Sequence, residues 1–146
     1  MVYFVFVDSS SNSLQQTLRG HTRTTTGLNW SYKDRNILAT SSYDKYVHVW
    51  DINDTRKPVQ SMLSIAGATH VKWSKVNEYL LATGHEMEVR IWDKRKCNSP
   101  IHYIAAHLSK INDIDWNPVV ETQFVTCSQD GMIKVSFFFF FLFLKI

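Results

Sequence analysis

Cysteine is nearly absent from this chain: Cys97 and Cys127 stand far apart and form no CxxC pair. That spacing builds neither a zinc site nor a disulfide framework, so a reducing compartment is the default and both thiols read as small buried side chains. A long hydrophobic run is also missing. Phe137–Leu144 is apolar for eight residues, far short of the roughly 20 a membrane-spanning helix needs. The apolar start Met1–Asp8 lacks the basic residues and the small-residue cleavage site of a secretory signal. Charge of one sign is scarce: the net charge is +3, which gives no ground for a nucleic-acid partner. No GxSxG, P-loop or GxGxxG occurs, and no nucleophile–base constellation stands out, so a hydrolase, a small-molecule substrate and a nucleotide cofactor are not expected. His85-Glu86 resembles the start of a zinc-protease motif, but Val89 stands where the second His belongs. No metal or cofactor is expected. No segment keeps a 3.6-residue period, which argues against helices.

What the chain does have is aromatic residues, 14% of the total, including five Trp, and these recur. Trp30, Trp73 and Trp116 are spaced 43 residues apart. Leu28, Val71 and Ile114 keep the same interval, as do Thr40, Thr83 and Thr126. A second marker closes the units: "VHVWD" (Val47–Asp51) returns as "VRIWD" (Val89–Asp93) after 42 residues, so one residue is lost between Thr83 and Trp92. A deletion is cheapest in a turn. Repetition at this period is the mark of a solenoid or propeller.

Inside each unit the pattern is that of strands. Leu28/Trp30, Val71/Trp73 and Ile114/Trp116 alternate with polar residues, as half-buried strands do. "ILATSS" and "LLATG" are short runs of small and apolar residues that suit strands buried on both faces. "YVHVW" and "VRIW" alternate again, and Val59–Ser64 and Ile101–Ala105 supply a fourth strand after Pro58 and Pro100. The joins "KDRN", "SYDK", "INDTRKP", "KRKCNSP" and "QDG" are turn-forming. The reading is all-β, with four antiparallel strands, a to d, in each unit.

Four strands in about 40–45 residues, a Gly-His start and a Trp-Asp end resemble the WD-repeat β-propeller family. Gly20-His21 and Trp50-Asp51 bracket the first unit, Trp92-Asp93 closes the second, and Ala106-His107 opens the third, where Ser136 replaces the closing Trp. The resemblance implies a partial propeller, about three four-stranded blades in an open arc, because closed propellers use four to eight. It divides the chain into residues 1–19, a remnant of a preceding blade with "VFVD" (Val5–Asp8), within the Met1–Asp8 segment, as strand c and Leu14–Leu18 as strand d; three repeats at 20–62, 63–105 and an incomplete 106–135; and residues 136–146, an apolar tail outside the family pattern. The five-Phe run in that tail has no pleat alternation. It reads as a translated T-rich tract rather than as an interfacial anchor, for which Lys145 is the sole cationic partner. Open arrays expose faces that neighbouring repeats would bury.

The family also implies a buried polar chain. Carried over, it is His21, Thr40, Asp44 and Trp50 in the first blade; Ser64, Thr83, Glu86 and Trp92 in the second, incomplete because Ser64 is shorter than an imidazole; and His107, Thr126 and Asp130 in the third. Such a chain satisfies indole and imidazole groups that would otherwise be buried unpaired. The runs Asp54–Pro58, Ala66–Trp73, Leu81–Lys96 and Ala105–Pro118, with "AAHLSKI" the most specific, are similar to WD-repeat scaffold subunits of the GATOR complex. These relay amino-acid sufficiency to the TOR kinase at lysosomes. That resemblance implies a non-catalytic interaction scaffold with GATOR subunits as partners, cytoplasmic and peripheral at the lysosomal membrane. Arg56, Lys57, Lys94, Arg95 and Lys96 fall in equivalent c–d turns. They read as a solvated rim or as a contact patch for an acidic partner. "WDKR" (Trp92–Arg95) also resembles the WD-x-R box by which some propellers dock onto cullin-RING ubiquitin ligases, which is the alternative function.

Overall fold

A computed structural model describes residues 17–139, and every regular element in them is a β-strand. The first blade runs β1 (Thr25–Trp30), β2 (Ile37–Ser42), β3 (Tyr46–Asp51) and β4 (Gln60–Leu63). The second runs β5 (His70–Trp73), β6 (Leu80–His85), β7 (Glu88–Asp93) and β8 (His102–Ala105). The third holds β9 (Ile111–Trp116), β10 (Gln123–Ser128) and β11 (Ile133–Phe137). Each blade is an antiparallel meander whose strands pair in chain order. Register repeats with the sequence: Trp30 faces Leu38, Trp73 faces Leu81, and Trp116 faces Phe124. One step further out, Thr40 faces His48, Thr83 faces Arg90, and Thr126 faces Lys134. A one-residue slip would move every apolar side chain to the wrong face, so the shared register follows from the shared pattern.

The first a–b turn is closed by Asp34, whose carboxylate accepts the Asn36 N–H at 2.9 Å; in the second, Asn77 Oδ1 accepts the Tyr79 N–H at 2.9 Å. Such side-chain turns explain the "KDRN"-type joins. The b–c turns differ in length. Three residues separate β2 from β3, with Lys45 at φ 74°. Two separate β6 from β7, with Glu86 at φ 51°. The residue missing from the second repeat is therefore lost in this turn.

The blades meet face on. Ala39, Val47, Val49 and Met62 of the first pack against Val71, Trp73, Leu81 and Trp92 of the second. Leu80, Ala82, Val89 and Ile91 of the second pack against Ile111, Ile114, Trp116 and Phe124 of the third. β2 and β6 carry small residues because neighbours cover both their faces. The a strands β1, β5 and β9 lie against one another across blades, along the inner side of an open arc.

Three differences from the sequence reading stand out. The third sheet, read as one of about three four-stranded blades, has three strands among the described residues, which end at 139. The preceding-blade strands read from Met1–Asp8 and Leu14–Leu18 lie mostly outside the described residues as well. Thr17 and Leu18, which are inside, pair in no sheet, although Leu18 is buried with Leu38 and Trp50. Finally, the third blade does not stop at residue 135. β11 runs to Phe137, and the Phe138 N–H bonds Thr122 O at 3.1 Å, as Ile52 bonds Asn36 and Lys94 bonds Tyr79. The Phe138 ring is buried, 5.8 Å from Trp116 and 5.1 Å from His102. Lacking a Trp at Ser136, the blade is anchored two residues later by the first part of the apolar tail.

Candidate functional site

A linked set of polar side chains lies inside each blade. In the first, the Trp50 indole N–H donates to Thr40 Oγ1 at 2.9 Å. Thr40 Oγ1 is 2.7 Å from His21 Nε2, and His21 Nδ1 is 2.9 Å from Asp44 Oδ2. The carboxylate accepts, so Nδ1 carries the proton; neutral Nε2 then accepts from the Thr40 hydroxyl. Donation thus runs one way, from Trp to Thr to His to Asp. Asp44 Oδ2 also takes the Thr22 N–H at 2.8 Å, and Oδ1 takes the Tyr46 N–H at 2.9 Å. Burial pushes the Asp44 pKa up, but these backbone bonds and His21 hold it below the usual carboxylate value.

The Gly-His dipeptide has a steric cause here. A Cβ on Gly20 would lie 2.7 Å from Trp50 Cη2, so only glycine lets the loop pass this close to the indole just before His21. Beneath it, His48 stacks on His21 at 4.4 Å and meets Trp50 edge-on at 5.6 Å. Burial, then the neighbouring His21, lowers the His48 pKa to about 4.

The second blade keeps the indole and the hydroxyl but changes the rest. Trp92 Nε1 donates to Thr83 Oγ1 at 2.8 Å. The imidazole on Thr83 is that of His85, at 2.8 Å, and its Nδ1 meets Gly67 O at 3.2 Å. Neither Ser64 nor Glu86 joins this chain, contrary to the family carry-over. Ser64 Oγ instead accepts from Arg90 Nη1, and Arg90 Nη2 pairs with Glu88 at 3.1 Å while the guanidinium sits over Tyr103. Glu86 occupies the left-handed turn and is exposed. The shortened turn explains the change. Without the third turn residue no carboxylate stands opposite the loop, and β6, as long as β2, carries His85 where the first blade has Ser42, on the same face as Thr83, two residues away. The 42-residue interval together with Gly84-His85 carried that signal in the sequence.

The third blade returns to the first pattern without its indole. His107 Nδ1 is 2.9 Å from Asp130 Oδ2, and His107 Nε2 is 2.7 Å from Thr126 Oγ1. The Asp130 pKa is raised by desolvation, yet the Met132 and Leu108 N–H groups and His107 bring it down to about 2. Lys134, in register with His48 and Arg90, donates to Ala106 O at 2.8 Å.

The basic residues take a different location, the connections between strands c and d. Arg56 is paired with Asp54 at 2.8 Å through both Nε and Nη2. Arg95 is held by Asp93 at 2.6 Å and lies 4.2 Å over the Tyr79 ring. Lys94 approaches Tyr79 at 5.3 Å and Trp73 at 5.7 Å. Lys57 and Lys96 are exposed. Among the described residues no group of three His, Cys, Asp or Glu side chains is placed to hold a metal ion. No helix there is long and apolar enough to cross a membrane.

The sequence matches the WD40 family, described as WD domain, G-beta repeat, over residues 12–51 and 98–135. It is 49% identical over 121 residues to the GATOR2 complex protein WDR59 of Homo sapiens, an alignment covering 83% of this chain and 12% of that protein. It is 44% identical over 122 residues to the GATOR2 complex protein Wdr59 of Drosophila melanogaster, covering 82% and 13%. It is 35% identical over 127 residues to Maintenance of telomere capping protein 5 of Saccharomyces cerevisiae, covering 86% and 11%. The chain therefore spans about an eighth of the length of the relatives it matches.

Proposed function

The chain belongs to the WD-repeat family and is related to the GATOR2 protein WDR59, and from that premise we propose that it is a non-catalytic interaction scaffold in amino-acid signalling to the TOR kinase. The identity of 49–51% to GATOR2 complex proteins over most of its length carries this reading. The geometry agrees with it in that three of the histidines are tied up inside the blades. His21, His85 and His107 are buried, each bonded at both ring nitrogens. A general base needs a free nitrogen within reach of a substrate. The side chains of the polar chain act as struts that fix the blade, and the chain's partners are other GATOR2-complex subunits, met at the lysosomal surface.

Within the rim, Asp54 and Asp93 already neutralise Arg56 and Arg95. The attraction for an acidic partner therefore rests on Lys57, Lys94 and Lys96. The cullin-ligase alternative gains no support here, since the arginine of its WD-x-R box, although exposed, is already paired with Asp93 and stacked on Tyr79. Affinity capture of the tagged chain from cells, read by mass spectrometry, separates the two. The scaffold reading expects GATOR2-complex subunits. A cullin-ligase adaptor that is lost on Arg95→Ala would replace it with the alternative.

A further inference from the structure

Of the three prolines in this chain, Pro58 follows Lys57, Pro118 follows Asn117, and Pro100 follows a hydroxyl residue, Ser99. Pro58 and Pro100 hold the same place 42 residues apart, just ahead of β4 and β8, so Ser99 stands where the first blade has a lysine. Asn98 and Ser99 are exposed. Backbone bonds flank them on both sides: the Lys96 N–H donates to Asp93 O and the Ile101 N–H to Ile91 O, each at 2.8 Å. The Cys97 thiol meets Lys94 O at 3.0 Å and closes the turn ahead of them. Beyond Pro100 lies β8, the outer strand of its sheet, paired with β7 alone. Such an edge opens locally for the loss of few bonds, so the segment around Ser99 can lie extended in another protein's groove.

We propose that Ser99 is the acceptor for a proline-directed protein kinase, and that phosphate there turns off the basic rim. Proline at the next position has no N–H to strand when it enters such a groove. In the reaction the Ser99 Oγ attacks the γ-phosphorus of ATP. An O–P bond forms, the bond from that phosphorus to the β–γ bridging oxygen breaks, ADP leaves with the electron pair, and the hydroxyl proton passes to the kinase's base. The consequence rests on the reading of the rim as a contact for an acidic partner. Lys94 and Lys96 precede Ser99 in the same connection, and Arg95 is already neutralised by Asp93. A phosphoserine brings about −1.5 to −2 charges at neutral pH, which offsets both lysines. The first blade, with Lys57 in place of the serine, cannot be switched in this way.

The acceptor and its consequence are read by separate measurements. Incubation of the folded full chain with a proline-directed kinase and Mg-ATP, followed by peptide mass spectrometry, should find phosphate on Ser99. Ser99→Ala and Pro100→Ala should each abolish it. No phosphate at Ser99, or labelling there that survives Pro100→Ala, overturns the assignment. An oligoglutamate peptide then serves as the acidic probe. The phosphorylated chain should bind it roughly 3- to 10-fold more weakly than the unmodified chain at low salt, and added salt should shrink the difference. Ser99→Glu should fall between the two. Equal binding by both forms overturns the switch and leaves the rim reading intact. A peptide that ignores the unmodified chain overturns the rim reading and the switch with it, while the acceptor stands or falls on the mass measurement.

Discussion

The first and second blades bury the same indole on the same hydroxyl, yet they complete the circuit with different parts. In the first, a loop carries the imidazole in from outside the sheet and a turn carboxylate receives it, His21 to Asp44 at 2.9 Å. In the second, strand β6 itself carries the imidazole, and a backbone carbonyl receives it, His85 to Gly67 O at 3.2 Å. Physically, what must be conserved between them is the satisfaction of the indole N–H and the hydroxyl. The source of the ring and the terminal acceptor are free to change. A buried polar group left unpaired costs about 1–3 kcal/mol, and either arrangement avoids that.

The strongest break of this comparison is at its shared hub. Thr40→Val and Thr83→Val each strand two buried groups, the indole N–H and the imidazole Nε2. Each should lower unfolding stability by about 2–4 kcal/mol, and by the same amount in both blades, measured by urea denaturation. Thr126→Val should lower it by roughly half as much, since no Trp donates to Thr126 and one group is stranded instead of two. A Thr126→Val loss as large as the others would mean that packing of the methyl and hydroxyl, not hydrogen bonding, sets the cost.

Acid gives a second break, at the imidazole of the second blade. Burial, then the Arg90 charge, lowers the His85 pKa from 6.5 to about 4. In the window between those values the unfolded chain binds a proton that the folded chain refuses. The His85 contribution is therefore complete above 6.5, declines as the pH falls, and is gone below about 4, with a total near 3 kcal/mol. His48 titrates in the same window in the first blade, so the test is differential. His85→Gln should flatten the stability profile between pH 7 and 4 relative to the wild-type chain, while Asp44, held below 3.8, contributes above that value and fails only in stronger acid. A profile unchanged by His85→Gln would show that the imidazole is solvated rather than buried on Thr83.

Much of this was legible in the sequence because the 43-residue interval fixes register and register fixes which side chains meet. Trp50 with Thr40, and His107 with Thr126, came from the family resemblance laid over that register. The second blade was misread because Glu86 and Ser64 were matched by column, although the deletion between Thr83 and Trp92 had already removed the column that Asp44 occupies. Phe138 was missed for a related reason. A run of Phe has no alternation to say which ring turns inward, and its burial depends on Trp116 and His102 from other strands. At Asp44 the comparison predicts an intermediate effect. Asp44→Ala removes the acceptor of one imidazole N–H and two backbone N–H groups, and it should cost about 1–3 kcal/mol in a chemical melt.

The smallest expected effect bears most directly on the difference between the blades. Glu86 stands one residue from the place where a carboxylate would serve the second blade, and its backbone is left-handed at φ 51°. Its side chain is exposed, and Trp92, Thr83 and His85 are satisfied without it. Glu86→Ala should therefore shift stability by less than about 0.5 kcal/mol, as surface substitutions do. The left-handed conformation is costly for any residue with a Cβ, and the third blade places Gly131 at φ 78° in its own b–c turn. Glu86→Gly should then gain up to about 1 kcal/mol, less whatever flexibility glycine adds to the unfolded chain. Thermal melts of the two variants beside Asp44→Ala give the answer. A loss for Glu86→Ala matching that of Asp44→Ala would return Glu86 to the polar chain and restore a single wiring for both blades.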